Sequence, residues 1–272
     1  MSLLLAFATA LALAAPGAPF PTDTTLTTTD GKTLAASVGV PPKGSENGVV
    51  FVHMAGRNRE DWSPVAEKFY RQGLLVATID LRGHGANVTG ESAVTLSAAD
   101  WSAMVEDVRA GVTELNKRGA KKVALVGAEV GANLALLAAV DDPSVVSLAL
   151  LSPGLDYKGL VTGEAAKRLG ARPVLYVASR DDAYGLRSAT ALDSVATGVH
   201  SLQVFEAAGK GTKMFNREPT LESQLLGFVN TSWTATAAAP TPATQVEVKV
   251  QSEELKTTGK RLGEETATPA PQ

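Results

Sequence analysis

The fold is decided by one stretch near the middle of the 272-residue chain: Val123-Ala124-Leu125-Val126-Gly127-Ala128-Glu129-Val130-Gly131-Ala132-Asn133-Leu134. Its first four residues are apolar and predict a short buried strand, while the alanine- and leucine-rich continuation after Gly131 predicts a helix. Gly127 and Gly131 flank the junction, and glycine permits a backbone turn too tight for residues with larger side chains. The stretch therefore predicts a strand, a sharp turn with Glu129 at its tip, and a helix.

The same change between strand and helix patterns repeats along the chain. Short β-rich apolar runs occur at residues 49–52, 75–79, 123–126, 145–151, 174–177 and 202–205. Helical segments lie between them, and one begins at Ser97, whose spacing to Asp100 is that of a capping box. Continuous apolar strands that alternate with helices predict an α/β fold: a mostly parallel β-sheet flanked by helices on both faces. In such sheets, ligand sites form at the carboxyl ends of the strands.

The two ends of the chain differ in composition from the part between them. Residues 3–15 are uncharged and apolar, too few to span a bilayer comfortably, and end in the small-residue pattern of a cleavage site. This signal-like segment, taken as residues 1–20, predicts a periplasmic or secreted protein; the alternative is a cytoplasmic protein if the segment is not a signal. Residues 231–272 are rich in Thr, Ala and Pro and predict a disordered tail. One domain is predicted at 24–230, beginning with an antiparallel edge hairpin formed by residues 24–29 and 34–40.

Composition also excludes several classes of partner and cofactor. Lys and Arg number 25 against 28 Asp and Glu, so the net charge of −3 provides no basic excess for binding nucleic acid. We expect that the chain is not an integral membrane protein, because the apolar segment at its start is short. We expect no nucleotide cofactor or other cofactor, because the turn around Glu129 lacks the G-x-G-x-x-G glycine order. The predicted partner is an unidentified small molecule or protein.

Five segments stand at the ends of predicted strands. They are VFVHMAGRN (50–58), DLRGHG (80–85), GAEVG (127–131), ASRDD (178–182) and AAGKGT (207–212). In this order they resemble the α/β-hydrolase superfamily, and specifically its lidless dienelactone-hydrolase-like esterases, over about residues 31–229. The resemblance implies a fold without a lid domain, a nucleophile elbow at 127–131, and an acid and a histidine in the last two loops.

Two of the three catalytic positions implied by the resemblance depart from the family pattern. Glu129 stands where the family has its nucleophilic serine, and Lys210 stands where it has its histidine. Only the acid is retained, as Asp182, with Asp181 as the alternate. An ordinary lysine has a pKa near 10.4 and stays charged, so it is a poor general base at neutral pH. The predicted catalytic triad is therefore not intact.

The remaining site residues are also assigned by the resemblance. His53 is implied to support the oxyanion loop through its ring nitrogens, and the backbone N–H groups of Met54 and Val130 to donate to an oxyanion. His200 precedes the last predicted strand, which would hold it at the opposite end of the sheet from the site. We expect no metal, because Lys210 would repel a cation from the acidic residues around it.

Two hypotheses of function follow. In the first, the chain is a catalytically inactive pseudohydrolase that uses the fold as a binding or scaffold module. In the second, it is an active hydrolase of carboxylic esters or lactones with a non-standard site. The first is favoured because Glu129 and Lys210 replace both the nucleophile and the base. An acid and a base on facing loops also predict a compensating pair, since an unpaired buried charge is strongly destabilising.

Overall fold

The structure, a computed structural model, describes residues 20–88 and 96–235 of the chain. Within these ranges the chain forms ten β-strands and six α-helices. The predicted signal-like segment (1–20), except for Phe20, lies outside the described residues. The predicted tail also lies outside them from residue 236 onward.

The strands build one large sheet and one small hairpin. They are β1 (Thr22–Thr27), β2 (Thr33–Gly39), β3 (Asn47–Val52), β4 (Leu75–Ile79), β5 (Lys122–Ala128), β6 (Val145–Leu151), β7 (Asp156–Tyr157), β8 (Leu160–Val161), β9 (Val174–Ser179) and β10 (His200–Phe205). Eight of them form a sheet in the order β1-β2-β4-β3-β5-β6-β9-β10, and β7 pairs with β8. Strand β2 is antiparallel to both of its neighbours, and the other neighbouring pairs of the large sheet are parallel. The predicted mostly parallel sheet with an antiparallel edge hairpin is confirmed.

The helices cover both faces of the sheet, as the sequence predicts. They are α1 (Ser63–Arg71), α2 (Ala98–Lys117), α3 (Val130–Ala139), α4 (Gly163–Arg168), α5 (Ala183–Val195) and α6 (Leu221–Ala235). Helices α1 and α6 pack on one face, and α2 to α5 pack on the other. Strand β3 shows the consequence: Val50 and Val52 point into one core, while Val49 and Phe51 point into the other. Residues on both sides of such a strand must be apolar, which explains its continuous apolar run.

The start of α2 is a capping box, as predicted from its sequence. The Asp100 N–H donates to the Ser97 hydroxyl at 3.2 Å, and the Ser97 N–H donates to the Asp100 carboxylate at 2.9 Å. Both backbone donors would otherwise lack a partner within the helix. The box thus determines where α2 begins.

Helix α6 continues past the predicted domain boundary at Asn230. Its last turn reaches Ala235, and Ser232 and Trp233 are buried. The Ser232 hydroxyl donates to the Ser147 hydroxyl at 2.7 Å, and the Lys122 ammonium donates to the Trp233 carbonyl at 2.8 Å. Packing therefore extends into the first residues that composition assigns to the tail, because Trp233 buries apolar area against the sheet. The Thr and Ala residues around Trp233 give this segment the composition of the tail.

Strands β7 and β8 form a hairpin that the sequence does not predict. Each has two residues, too few to show an alternating pattern. The hairpin and α4 connect β6 to β9 at the carboxyl end of β6, and they are too small to form a lid domain. In the described part of the chain, no helix is long and apolar enough to cross a membrane.

Candidate functional site

The turn between β5 and α3 places Glu129 at its tip in a strained backbone conformation. Glu129 has φ 49° and ψ −117°, in a region that residues with side chains rarely adopt. Its N–H donates to the Leu151 carbonyl at 2.9 Å, which ties the turn to the neighbouring strand β6. This strained strand–turn–helix geometry is the one expected of a nucleophile elbow.

Both glycines of the elbow are required by close backbone approaches. A Cβ atom on Gly127 would lie 2.3 Å from the Gly131 carbonyl oxygen. A Cβ atom on Gly131 would lie 2.4 Å from the Val52 carbonyl oxygen. These distances are far inside van der Waals contact, so helix α3 can begin this close to the sheet only with glycine at both positions.

Lys210 forms an ion pair with Glu129. The Lys210 Nζ lies 2.7 Å from the Glu129 Oε1, and the two side chains are 53% and 11% exposed. The contact with the Glu129 carboxylate raises the pKa of Lys210 above its ordinary value, with partial burial acting in the opposite direction. Lys210 is therefore protonated at neutral pH and cannot accept a proton as a general base.

Ser152 holds the loop that carries Lys210. This residue follows β6, is fully buried, and has φ 48°. Its hydroxyl accepts a hydrogen bond from the Gly211 N–H at 3.0 Å, immediately beyond Lys210. Ser152 is not among the site residues predicted from the sequence. Its position could have indicated a site residue, because it directly follows an apolar strand run. The carboxyl ends of such strands form the edge of the sheet where the other site residues lie.

The two candidate acids have different surroundings. Asp182 caps helix α5, where its Oδ1 accepts from the Gly185 N–H at 3.1 Å. A Cβ atom on Gly185 would lie 2.1 Å from the Asp182 Oδ2, so the carboxylate packs over the start of its own helix. Asp181 instead accepts from the Gly209 N–H at 3.0 Å and from Arg217 at 3.3 Å. Asp181 thus ties together the loops after β9 and β10.

Asp182 lies near the Glu129–Lys210 pair without joining it. Its negative charge acts on Lys210 and contributes to the raised pKa of that residue. Among the described residues, the ion pair of Lys210 is with Glu129 and none is formed with Asp182. Also within the described ranges, no group of three or more His, Asp or Glu side chains could hold a metal ion.

The three histidines occupy structural positions. His53 is fully buried, with its Nδ1 2.7 Å from the Met54 carbonyl and its Nε2 accepting from the Leu81 N–H at 3.0 Å. Because a carbonyl only accepts, Nδ1 carries the proton. Burial lowers the pKa of His53 to about 4. Neither nitrogen is available for proton transfer at the site.

Each of the other two histidines is held through its Nδ1. Burial also lowers the pKa of His84, whose Nδ1 lies 3.0 Å from the Arg82 carbonyl. His200 pairs with Asp193 at 2.7 Å and begins β10, opposite Val174 at the start of β9. The strand therefore separates His200 from the Lys210 loop at its other end.

The family resemblance implies the backbone amides of Met54 and Val130 as the donors of an oxyanion hole. Both residues are buried, and Val130 is the first residue of α3. No acceptor for either N–H is found among residues 20–88 and 96–235. The first amides of a helix have no intrahelical acceptor and favour an anion.

The β7–β8 hairpin adds Tyr157 to the site. Asn133 on α3 binds the hairpin by donating to the Leu160 carbonyl at 2.8 Å and accepting from the Gly154 N–H at 2.9 Å. The Tyr157 ring packs edge-on against Tyr184, with ring centroids 5.2 Å apart. Burial, with the charges of Glu129 and Asp182, raises the pKa of Tyr157 well above its ordinary value. The phenol therefore remains protonated near both carboxylates.

Comparison with known proteins identifies the fold of this arrangement. The sequence profile of the serine aminopeptidase S33 family matches residues 44–189. The Pyrococcus furiosus esterase Pf2001 is 17% identical, with a TM-score of 0.61 over 78% of this chain and 90% of that chain. The α/β-hydrolase GrgF from Penicillium sp. sh18 is 14% identical, with a TM-score of 0.63 over 78% of this chain and 98% of that chain.

A third similar structure is a lipase-esterase related protein from Clostridium acetobutylicum, 16% identical, with a TM-score of 0.57 over 72% of this chain and 99% of that chain. No curated protein matches the chain by sequence. At these identities the solved structures show a shared fold, not a shared activity. The family match covers more than half of the sequence and includes the elbow at Glu129. The chain therefore belongs to the serine aminopeptidase S33 family of α/β-hydrolases.

Proposed function

We propose that this chain is a catalytically inactive pseudohydrolase that acts as a binding or scaffold module. The observation that supports this proposal most directly is the 2.7 Å contact between Lys210 and Glu129. Hydrolysis by an intact triad requires a nucleophile and a neutral base that removes its proton. Here the two positions hold an anion and a cation that neutralise each other.

A carboxylate nucleophile does not restore turnover in this arrangement. An ester formed on Glu129 would have to be cleaved by a water molecule that a neutral base activates. Lys210 is protonated, and both ring nitrogens of His53 are engaged. We infer that the site can hold a ligand but cannot complete a catalytic cycle.

The proposal also covers the origin and location of the protein. We infer that it derives from dienelactone-hydrolase-like esterases and is exported, as the signal-like residues 1–20 predict. Mass spectrometry of protein purified from its native host tests the location. A mature chain that begins near Ala15 is expected, and an intact Met1 or Ser2 terminus on cytoplasmic protein would contradict export.

The test of inactivity is a hydrolase assay of the pure full chain on short-chain aryl esters and lactones. Without nucleophile and base, the expected turnover is on the order of 10⁻⁵ per second. Any turnover that Glu129→Gln leaves unchanged arises from a contaminating esterase. Turnover above about one per minute that Glu129→Gln abolishes would refute the proposal.

The second candidate function is an active hydrolase of esters or lactones. Two observations favour it: the strained backbone at Glu129 and the Met54 and Val130 amides, for which no acceptor is found in the described ranges. Strain of this kind is destabilising and is concentrated at functional sites. Turnover dependent on Glu129 in the same assay would establish this alternative.

A further inference from the structure

The last strand of the large sheet, β10, is an edge strand without the usual protection. Within the described residues it pairs with β9 on one side, and no strand lies on its other side. Its six residues, HSLQVF, include no Lys, Arg, Asp, Glu or Pro, and its register with β9 runs over all six without a bulge. Edge strands are usually charged, bulged or covered, because their open N–H and C=O groups can pair with another chain. The opposite edge strand, β1, carries Asp23, whose side chain is 74% exposed.

Helix α6 continues this uncharged surface beside β10. The side-chain amide of Gln203 on β10 donates to that of Gln224 on α6 at 2.6 Å, so the two elements adjoin there. After Glu222, α6 has no charged residue up to its C-terminal end. Gln224, Phe228 and Thr231 recur at the three- and four-residue spacing of one helix face, and each is exposed or half-buried. An uncharged surface therefore extends from the edge of the sheet onto the neighbouring helix.

Gly227 lies on the exposed side of the same helix, where nothing in the described chain requires a glycine. Its φ is not positive, and a Cβ atom at this position would meet no atom within 4 Å. Glycine is also among the poorest helix formers. A glycine on a helix surface lets the backbone of another element approach closely. Gly227 is therefore explained by a contact that the single chain does not make.

We propose that the β10–α6 surface, formed by β10 with Gln224, Gly227, Phe228 and Thr231 of α6, pairs with the same surface of a second copy of the chain. The two β10 strands run antiparallel about a two-fold axis and join the two sheets into one, so that each surface contacts its own copy. A surface without charges opposes no like charges in such self-contact, and depletion of charged residues is typical of interface cores. This inference goes beyond the proposed function and does not depend on the inactivity of the site at Glu129.

One register of the two β10 strands brings compatible side chains together. Gln203 lies opposite its own copy on the two-fold axis, where each amide can both donate and accept. The other pairs in this register are Val199 with Ala207, His200 with Glu206, Ser201 with Phe205, and Leu202 with Val204. None of these pairs opposes two charges of the same sign, and the first covers Val199, which is 59% exposed in the single chain. Opposite residues of an antiparallel pair point to the same face of the sheet, so both α6 helices lie on one face and meet beside the axis.

Sedimentation velocity of the full chain over a range of concentrations tests the inference. A dimer with a dissociation constant on the order of 10 μM is expected, because two strands and two helix faces form an interface of modest size. Gly227→Arg is expected to weaken it at least about tenfold, since it places bulk and charge where the two helices meet. The same substitution fits the single chain, because the space beside Gly227 is open.

Two further changes assign the dimer to the edge of the sheet. Gln203→Lys places a charge on β10 and is expected to weaken the dimer at least about tenfold, and it tests the surface even if Gly227→Arg does not fold. Thr25→Arg is the matched control, because it adds the same charge at an exposed position of the opposite edge strand. The chain has no Cys, so a single introduced cysteine reports contact between copies. A short bis-maleimide should cross-link Gln203→Cys into dimers and leave Thr25→Cys monomeric.

Three results would overturn the inference. The first is a full chain that stays monomeric at about 100 μM, tenfold above the expected constant. The second is a dimer that Gly227→Arg and Gln203→Lys weaken no more than Thr25→Arg does. The third is equal cross-linking of Gln203→Cys and Thr25→Cys. If the chain is monomeric and the amides of β10 are nevertheless protected from hydrogen exchange, residues 236–272 cover the edge in place of a second copy.

Discussion

At the residue scale, the proposed inactivity of the protein depends on Glu129 and Lys210. Their positions could be predicted from the order of motifs along the chain, because the elbow and the last loop both lie at the carboxyl edge of the sheet. The contact between their side chains and the burial of each could not be predicted. Glu129 is nearly buried, Lys210 is half exposed, and Asp182 folds over Gly185. These features depend on side-chain packing between segments distant in sequence.

A double-mutant cycle measures the coupling between the two residues. Glu129→Gln or Lys210→Met alone leaves the other charge without a partner, and each should lower the free energy of unfolding by about 1–2 kcal/mol, reduced from the fully buried case because Lys210 is half exposed. The double variant should recover much of this loss. Urea unfolding of all four proteins gives the coupling free energy.

Lys213→Met combined with Glu129→Gln is the control for this cycle. Residues that do not interact have effects that add to within about 0.5 kcal/mol. Additive effects of Glu129→Gln and Lys210→Met, like those expected of the control pair, would show that the observed contact does not stabilise the protein.

At the element scale, long elements could be predicted from sequence and short or tertiary ones could not. Runs such as 75–79 and 145–151 coincide with β4 and β6, because strands covered on both faces must be apolar throughout. The β7–β8 hairpin is too short to have a pattern, although it brings Tyr157 to the site. The last turn of α6 has the Thr- and Ala-rich composition of the tail. Its place in the core depends on packing against the sheet, which composition does not show.

The last turn of α6 should therefore contribute to stability. Trp233→Ala is expected to lower the free energy of unfolding by about 3 kcal/mol, because it removes a buried indole from the core. Thr234→Ala, at the adjacent exposed position, should change it by less than about 0.5 kcal/mol. Thermal and urea unfolding compare the variants. Equal stability of Trp233→Ala and the parent would restore the boundary at Asn230.

At the scale of the whole molecule, two layers of helices bury the sheet and leave the site at its carboxyl edge. The same burial holds His53 and His84 in the core with lowered pKa values. Composition predicts that nucleic acid is not a partner, since net charge is a property of the whole chain. It could not identify a ligand, because net charge does not show which side chains meet at the site.

Burial of neutral histidines should make stability depend on pH. The pKa of His53 is about 4 in the folded protein and 6.5 in its ordinary state, so between these values the unfolded chain binds more protons. The free energy of unfolding is therefore highest above pH 6.5 and falls on acidification toward pH 4. His53 alone should contribute a loss of about 1 kcal/mol between pH 7.5 and 5.5, and His84 adds a loss of the same sign.

Urea unfolding at pH 7.5 and 5.5 measures this loss. His53→Gln is the informative variant, because glutamine can replace both hydrogen bonds of the ring without titrating. The difference between the two pH values should shrink in His53→Gln. Stability that is unchanged or higher at pH 5.5 in the parent would show that the histidines are not held neutral in the fold.

Under the proposed function, Glu129 and Lys210 replaced a nucleophile and a base as a coupled pair within an otherwise retained elbow. The most direct measurement is the rate of covalent labelling by a fluorophosphonate, followed by mass spectrometry, for Glu129→Ser, Lys210→His and the variant that carries both changes. A coupled replacement predicts labelling at position 129 in the doubly changed protein, and background rates in the parent and both single variants. No labelling of the doubly changed protein, or equal labelling of Glu129→Ser alone, would contradict it.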